Sequence, residues 1–159
     1  MDLASSTVAS IMHQHFAVVH PDDLLDAIDP IASDLAAVRH LVVVDAKRRV
    51  VGILSLRDLL EVSLARLRTG DADWSRASLG AMAVSDLMVR PVETIGPDEV
   101  LAAAANRMIT HRIGCLPVVR EDGVMIGVVT DADLLAAAYR EPRPPGSAST
   151  SGSASSSSR

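Results

Sequence analysis

"GVVTDAD", residues Gly127 to Asp133, and "GILSLRD", residues Gly52 to Asp58, follow one pattern. Each runs glycine, two aliphatics, a hydroxyl residue, two further residues and an aspartate, and the two copies stand 75 positions apart (Gly52 to Gly127). An apolar run that passes through Ser or Thr into an acidic, helix-favouring stretch marks the end of a strand and the start of a helix.

Reading outward from the phrase, the chain repeats itself from about Val8 to Leu60 and again from about Val84 to Leu135. Val8 matches Val84, Met12 matches Met88, Pro21-Asp22 matches Pro97-Asp98, and Leu25 and Ala27 match Leu101 and Ala103, all at an offset of 76. Past the helical stretch the offset falls to 75, with Leu41, Val43, Val44, Gly52, Asp58, Leu59 and Leu60 matching Leu116, Val118, Val119, Gly127, Asp133, Leu134 and Leu135. The first copy has gained one residue between Pro21 and Leu41.

The second copy predicts a short strand at "VETI" (92–95) and a helix opened by Pro97-Asp98 and running from about Asp98 to His111. A strand at "CLPVVR" (115–120), a turn at "EDG" (121–123), a strand at "VMIGVVT" (124–130) and a closing helix at "DADLLAAAY" (131–139) complete the unit. The first copy has the same β-α-β-β-α plan, with strands "HLVVVD" (40–45) and "VVGILS" (50–55) and the helix "LRDLLEVSLARLR" (56–68). Pro30 falls inside its long-helix region, where a proline removes a backbone bond at a cost of about 3 kcal/mol, so the helix is expected to break or kink near Asp29 and restart toward Leu35. The domain plan is therefore residues 1–69 as first repeat with connecting helix, 70–83 as linker, 84–140 as second repeat, and 141–159 as a tail read as disordered from its Ser, Pro and Gly content. "DADWSRASLGAM" (71–82) has room for a helical turn, with Trp74 read as a surface anchor before a ligand platform.

Composition narrows the function. The 159 residues are 48% hydrophobic, with Phe16, Trp74 and Tyr139 as the whole aromatic set, so the core is aliphatic and suits strands covered on both faces. A net charge of −5 without a dense Lys/Arg face argues against a nucleic-acid groove. A single cysteine, Cys115, forms no intrachain disulfide and points to a reducing compartment. The N-terminus has no secretory pattern and no apolar run is long enough to span a bilayer, so a cytoplasmic protein with no membrane partner is expected.

Two β-α-β-β-α repeats, each carrying the Gly-aliphatic-aliphatic-Ser/Thr-x-x-Asp phrase, resemble a tandem pair of cystathionine-β-synthase (CBS) domains, also called a Bateman module. The second copy, "VSDLMVRPVETIGPDEVLAAAANRMITHRIGCLPVVREDGVMIGVVTDADLL", carries the likeness most fully, and the resemblance covers Val8 to Tyr139, leaving no room for a catalytic domain. It implies an α/β (α+β) fold in which two repeats pack sheet to sheet about a pseudo-twofold axis, with a purine-sized cleft on either side. It also implies a stand-alone regulatory module, a disc-like homodimer, an adenosine-type ligand such as AMP, ADP, ATP or S-adenosylmethionine, no required cofactor, and an unknown regulated protein. One unit of this size buries little alone, and an apolar sheet face built from Val118 and Val128 explains the pairing.

Read chemically, the phrase presents free N–H groups and the positive end of a helix dipole, which suit a phosphate. Thr130 can cap the helix or donate to a phosphate oxygen, and Asp133 can accept from both hydroxyls of a ribose. The resemblance assigns the same roles to Ser55 and Asp58. A plainer reading is also open: Ser/Thr followed three residues later by an acid is a capping box. Arg57 before Asp58 suits phosphate charge, whereas Ala132 and Asp131 before Asp133 do not. The resemblance places purine contacts at Thr94, Ile95, Gly114, Leu116 and Pro117 in one cleft and at Val18, Val19, His40 and Leu41 in the other. Arg39, His111 and Arg112 are phosphate candidates.

Three further readings follow from residues alone. His13, His15 and His20 could bind zinc or nickel. Cys115 reads as a small buried hydrophobe, and with His111 four residues earlier it could instead form a nucleophile pair. A ligand-independent dimerisation or protein-interaction module would use the Ser/Thr–Asp phrases only as caps.

Overall fold

A computed structural model gives the fold and describes residues 3–32, 40–68, 70 and 75–139. The expected tail, Arg39, Trp74 and the helix restart at Leu35 lie outside the described residues. The order of elements is a 3-10 turn (Val8–Ser10), β1 (Val18–Val19), α1 (Leu25–Ala32), β2 (His40–Val44), β3 (Val50–Ser55), α2 (Leu56–Arg68), α3 (Arg76–Gly80), α4 (Val84–Leu87), α5 (Leu101–His111), β4 (Cys115–Val119), β5 (Met125–Thr130) and α6 (Asp131–Tyr139).

Each half centres on an antiparallel pair in the same register. His40 faces Ser55 and Val43 faces Gly52, with an irregularity between Val43 and Val44. Cys115 faces Thr130 and Val118 faces Gly127, with the irregularity between Val118 and Val119. β1 adds a parallel strand to β2 in the first half. The expected "VETI" strand is reduced to a single parallel bridge, Ile95 to Val118, in the second.

The halves exchange their leading segments. Val8 N–H donates to the Glu99 carbonyl (2.8 Å) and Ala9 N–H to that of Pro97 (2.9 Å). Val84 N–H donates to the Asp23 carbonyl (2.8 Å) and Ser85 N–H to that of Pro21 (2.9 Å), the same bonds at an offset of 76. The bridges His13–Val128 and Val89–Ile53 reciprocate in the same way, as do Thr7–Val100 and Ala83–Leu24. Arg49 pairs with Val124, its own counterpart at the offset of 75, so that bridge lies at the pseudo-twofold axis. Val8 accordingly joins the core of the second half, with Leu101, Met108, Leu116 and Val129. Val84 and Leu87 join that of the first, with Val19, Leu25, Leu41 and Leu54. Between the sheets Val42, Val44 and Met125 form the seam, flanked by Phe16, Val18 and Val128. Val118, expected on this seam, instead faces the helices of its own half, while Val128 is on it.

The exchange explains the phrase's glycine. A Cβ on Gly127 would lie 2.9 Å from Met12 Sδ and 3.1 Å from the His13 carbonyl, and one on Gly52 would collide with Met88 Sδ. It also explains why α5 starts later than Pro97-Asp98 suggests. The carbonyls of Pro97 and Glu99 are taken by the incoming segment, and Pro97 and Asp98 form a turn closed by Gly96 N–H on Glu99 Oε1 (2.9 Å). The first half closes the same turn with His20 N–H on Asp23 Oδ2 (2.7 Å).

α1 is not broken at Asp29: it continues through Pro30 to Ala32, eight residues against eleven in α5. The bond Pro30 cannot make is the single one to the Asp26 carbonyl in the helix's opening turn, so the loss is confined to one bond. The turn "AKRR" has no glycine, and Arg48 takes the left-handed conformation (φ 60°) that Gly123 takes in the second half (φ 79°). Asp45 Oδ1 holds that turn by accepting from Lys47 and Arg49 N–H (2.8 Å each).

Candidate functional site

Two clefts flank the seam, one on each side of the pseudo-twofold. The Asp58 cleft, about 810 Å³, is lined by Ile53, Ser55, Arg57, Asp58 and Leu60 of the first half, by Val89 to Glu93 without Arg90, by His111 to Cys115, and by His40. The Thr130 cleft, about 610 Å³, is lined by Val128, Thr130, Asp131 and Ala132, by His13 and His15 to Ala17, and by His40, Val42, Gly114 and Cys115. Both volumes fall within the range of small-molecule sites. His40 and Cys115, equivalent first residues of β2 and β4, border both clefts.

The strand-to-helix junctions are capping boxes in both halves. Ser55 donates its N–H (2.7 Å) and hydroxyl (2.6 Å) to Asp58 Oδ2, and Asp58 N–H returns a bond to Ser55 Oγ (3.2 Å). Thr130 donates N–H (2.8 Å) and hydroxyl (2.7 Å) to Asp133 Oδ2, and Asp133 N–H returns one to Thr130 Oγ1 (3.3 Å). The plainer reading of the phrase is thus part of the structure, and it aligns each carboxylate with one oxygen turned back onto its own helix start. The other oxygens differ. Asp58 Oδ1 has no partner among the described residues, whereas Asp133 Oδ1 accepts from His13 Nε2 at 2.7 Å. Burial alone would raise the Asp133 pKa. Hydrogen bonds from the Thr130 hydroxyl, His13 and the Thr130 N–H, with the charge on His13, outweigh it and hold the carboxyl below its ordinary 3.8.

Of the candidate residues, Ser55, Arg57, Asp58, His40, His111, Arg112 and Gly114 meet in the Asp58 cleft, and Thr130, His40 and Gly114 meet in the other. Apart from His40 and Gly114, the residues expected to contact a purine line neither cleft. Val19, Ile95, Leu41 and Leu116 are core residues, each at most 1% exposed. Pro117 is buried opposite Val128, and Val18 is part of the seam. Thr94 lies in a separate surface groove, its carbonyl accepting from Arg107 (2.6 Å). The apolar walls are instead Ile53, Val89, Val92 and Ile113 on one side and Phe16, Val42 and Val128 on the other. The repeat offset held the signal for these: His13 to Ala17 and Val89 to Glu93 are equivalent stretches just ahead of the first strand position.

The three histidines are drawn apart. His13 goes to Asp133, His20 lies 3.7 Å from Asp23, and His15 lines the Thr130 cleft. Among the described residues no three His, Cys, Asp or Glu side chains group as a metal site. Cys115 and His111 share a cleft, but burial, then the charges of Asp133 and Asp131, push the thiol up to about 12 and keep it protonated, which suits a packing residue rather than a nucleophile. Among the described residues no helix is long and apolar enough to cross a membrane.

Known proteins share this arrangement. The structure of CBSX2 in complex with AMP superposes with a TM-score of 0.68 at 26% identity, covering 83% of this chain and 95% of that one. The cytosolic domain of the Mg2+ channel MgtE in complex with ATP superposes with a TM-score of 0.65 at 25% identity, covering 82% of this chain and 48% of that one. Homoserine O-acetyltransferase of Methanococcoides burtonii is 29% identical over 132 residues, 83% of this chain, which spans only 24% of that protein's length. The CBS domain family itself matches residues 8–65 and 84–140, the two halves related by the pseudo-twofold. The chain belongs to the CBS domain family and folds as a tandem CBS pair.

Proposed function

We propose that the chain is a regulatory sensor that holds an adenosine-containing ligand, such as AMP, ADP, ATP or S-adenosylmethionine, between its CBS repeats and performs no catalysis. The observation that carries this reading is the Asp58 cleft. It combines a carboxylate with one open oxygen, the start of the thirteen-residue α2 with Arg57 in its first turn, Arg112 and His111 on the opposite wall, and an apolar lining between them. A ribose diol fits the carboxylate, phosphate oxygens fit the helix start, the two arginines and an imidazole N–H, and a purine fits the apolar wall. AMP and ATP occupy the two CBS-pair relatives named above, which supports an adenine nucleotide here. The Thr130 cleft suits a polyphosphate less, because Ala132 replaces Arg57 and Asp131 adds negative charge.

The sensor acts as a homodimer in the cytoplasm, passing occupancy to a partner protein. Leu60 and Leu64 on α2 are 55% and 51% exposed, and their equivalents on α6, Leu135 and Tyr139, are 59% and 79% exposed. Matched apolar rows on two pseudo-symmetric helices suit a second copy of the chain.

The test is thermal unfolding with each of the four compounds. A ligand at about 100 times its Kd should add roughly 2.7 kcal/mol of stability. Asp58→Ala should remove that gain for AMP and ATP. The capping boxes also favour a second reading, a dimerisation module that binds no ligand. An unchanged melting temperature with all four compounds, in a chain that remains dimeric by sedimentation, selects it.

A further inference from the structure

The clefts differ most at the carboxylate itself. Asp58 lines its cavity, but Asp133 is absent from the lining of the Thr130 cleft and His13 lines it instead. Asp133 Oδ2 takes both bonds from Thr130, and His13 Nε2 sits on Oδ1 at 2.7 Å, filling one of that oxygen's two acceptor sites and placing the imidazole between it and the cleft. An ionised carboxylate only accepts, so the imidazole nitrogen carries the hydrogen. The equivalent position in the other half is Val89, which has no donor to offer. The backbone fixes His13 in place: its N–H donates to the Val128 carbonyl (2.8 Å) and its carbonyl accepts from Val128 N–H (3.0 Å). Its side chain stays 59% exposed, so the ring can swing into solvent without disturbing the core.

We propose that His13 is a latch on the Thr130 cleft: it occupies the Asp133 oxygen that a ribose diol would take, so adenosine-type ligands fill the Asp58 cleft first and enter the second only by displacing the imidazole. The proposal rests on the adenosine reading above. A ribose hydroxyl entering the Asp58 cleft gains a bond to an open oxygen. One entering the Thr130 cleft exchanges a charge-assisted bond already made for another, and gains nothing at that atom. The latch therefore makes two clefts of similar size unequal in affinity, and it acts on the sugar, which every adenosine compound carries, whatever its 5′ substituent.

The experiment is calorimetric titration of the full chain with adenosine and with AMP. An Asp58→Ala background leaves the Thr130 cleft to be read alone. Adding His13→Val, which copies Val89, should tighten adenosine binding about tenfold, the factor that ~1.4 kcal/mol produces. Adding His13→Gln, which restores an N–H donor toward Asp133, should leave affinity within about twofold of the background, since the competing bond is retained. In the otherwise unsubstituted chain, the His13 ring resonances should move only during the second, weaker binding phase. No gain on adding His13→Val to Asp58→Ala, while His13→Val alone still binds AMP through Asp58, overturns the latch and leaves the adenosine reading standing. Equal affinity of both clefts before any substitution also overturns it. No binding of adenosine or AMP by the unsubstituted chain or by His13→Val overturns the latch and the reading together.

Discussion

The two halves of the molecule have one backbone and two chemistries. Strand register, the irregularity after Val43 and after Val118, the closed turns at Asp23 and Glu99, and the exchanged segments all repeat, at an offset of 76 before the long helix and 75 after it. The cleft-facing residues do not. Val89 stands opposite His13, Pro91 opposite His15, Glu93 opposite Ala17, and Arg57 opposite Ala132. Positions that hold the pseudo-twofold together are constrained by packing and by backbone bonds, which leave few substitutes. Positions facing the clefts meet water, where a change costs little, so the two sites are free to become different.

Breaking the shared backbone should have the largest effect. Gly52→Val places side-chain atoms where Met88 lies and should destabilise the fold by about 3 kcal/mol, as overpacking of a close contact does. Denaturant unfolding measures it, and a loss under ~1 kcal/mol would mean that the exchanged segment is not held against β3. Gly127→Val should cost a comparable amount through Met12 and the His13 carbonyl.

The chemical difference between the halves should appear as a pH effect. Asp133 has its pKa lowered in the folded state, so its contribution to stability is present above the ordinary carboxylate value of 3.8 and is lost as pH falls through and below it. Stability of the unsubstituted chain should therefore exceed that of Asp133→Asn near neutral pH, and the gap should close on acidification. A gap that is constant from pH 6 to pH 3 would contradict the assignment.

The smallest effect sharpens the comparison. Arg48 adopts the left-handed backbone that Gly123 adopts in the equivalent turn, at a cost of roughly 1 kcal/mol for a residue with a Cβ. Arg48→Gly should raise stability by about 0.5–1 kcal/mol, the remainder being offset by the greater freedom of glycine in the unfolded chain. A decrease would show that the arginine side chain supports the turn.

Much of this was legible in the residues. The phrase repeated at Gly52 and Gly127 marks a strand running straight into a helix, and β3, α2 and α6 occupy the spans read for them. The antiparallel pairs were legible because Val-rich runs flank short polar turns. The exchange of leading segments was not. Val8–Ser10 and Val84–Leu87 are too short to show a period, and their partners lie across the molecule. Nor was the cleft-facing side of β2 and β4, whose residues are nearly all buried on both faces. In such strands alternation of apolar and polar residues disappears, and the parity that separates Leu41 from His40 and Val42 has no sequence mark. Asp58 as a cleft residue was legible because a carboxylate after a strand end is conspicuous. The bond from His13 to Asp133 spans 120 positions and needed the fold.

The central claim is that the Asp58 cleft is where an adenosine compound binds. The most direct measurement is a backbone amide NMR titration of the full chain with AMP. Binding there gives saturable shifts concentrated on Ser55 to Asp58, Val89 to Glu93 and His111 to Cys115, abolished in Asp58→Ala. Shifts that spare these three stretches, or that gather in the groove between Thr94 and Arg107, would contradict it.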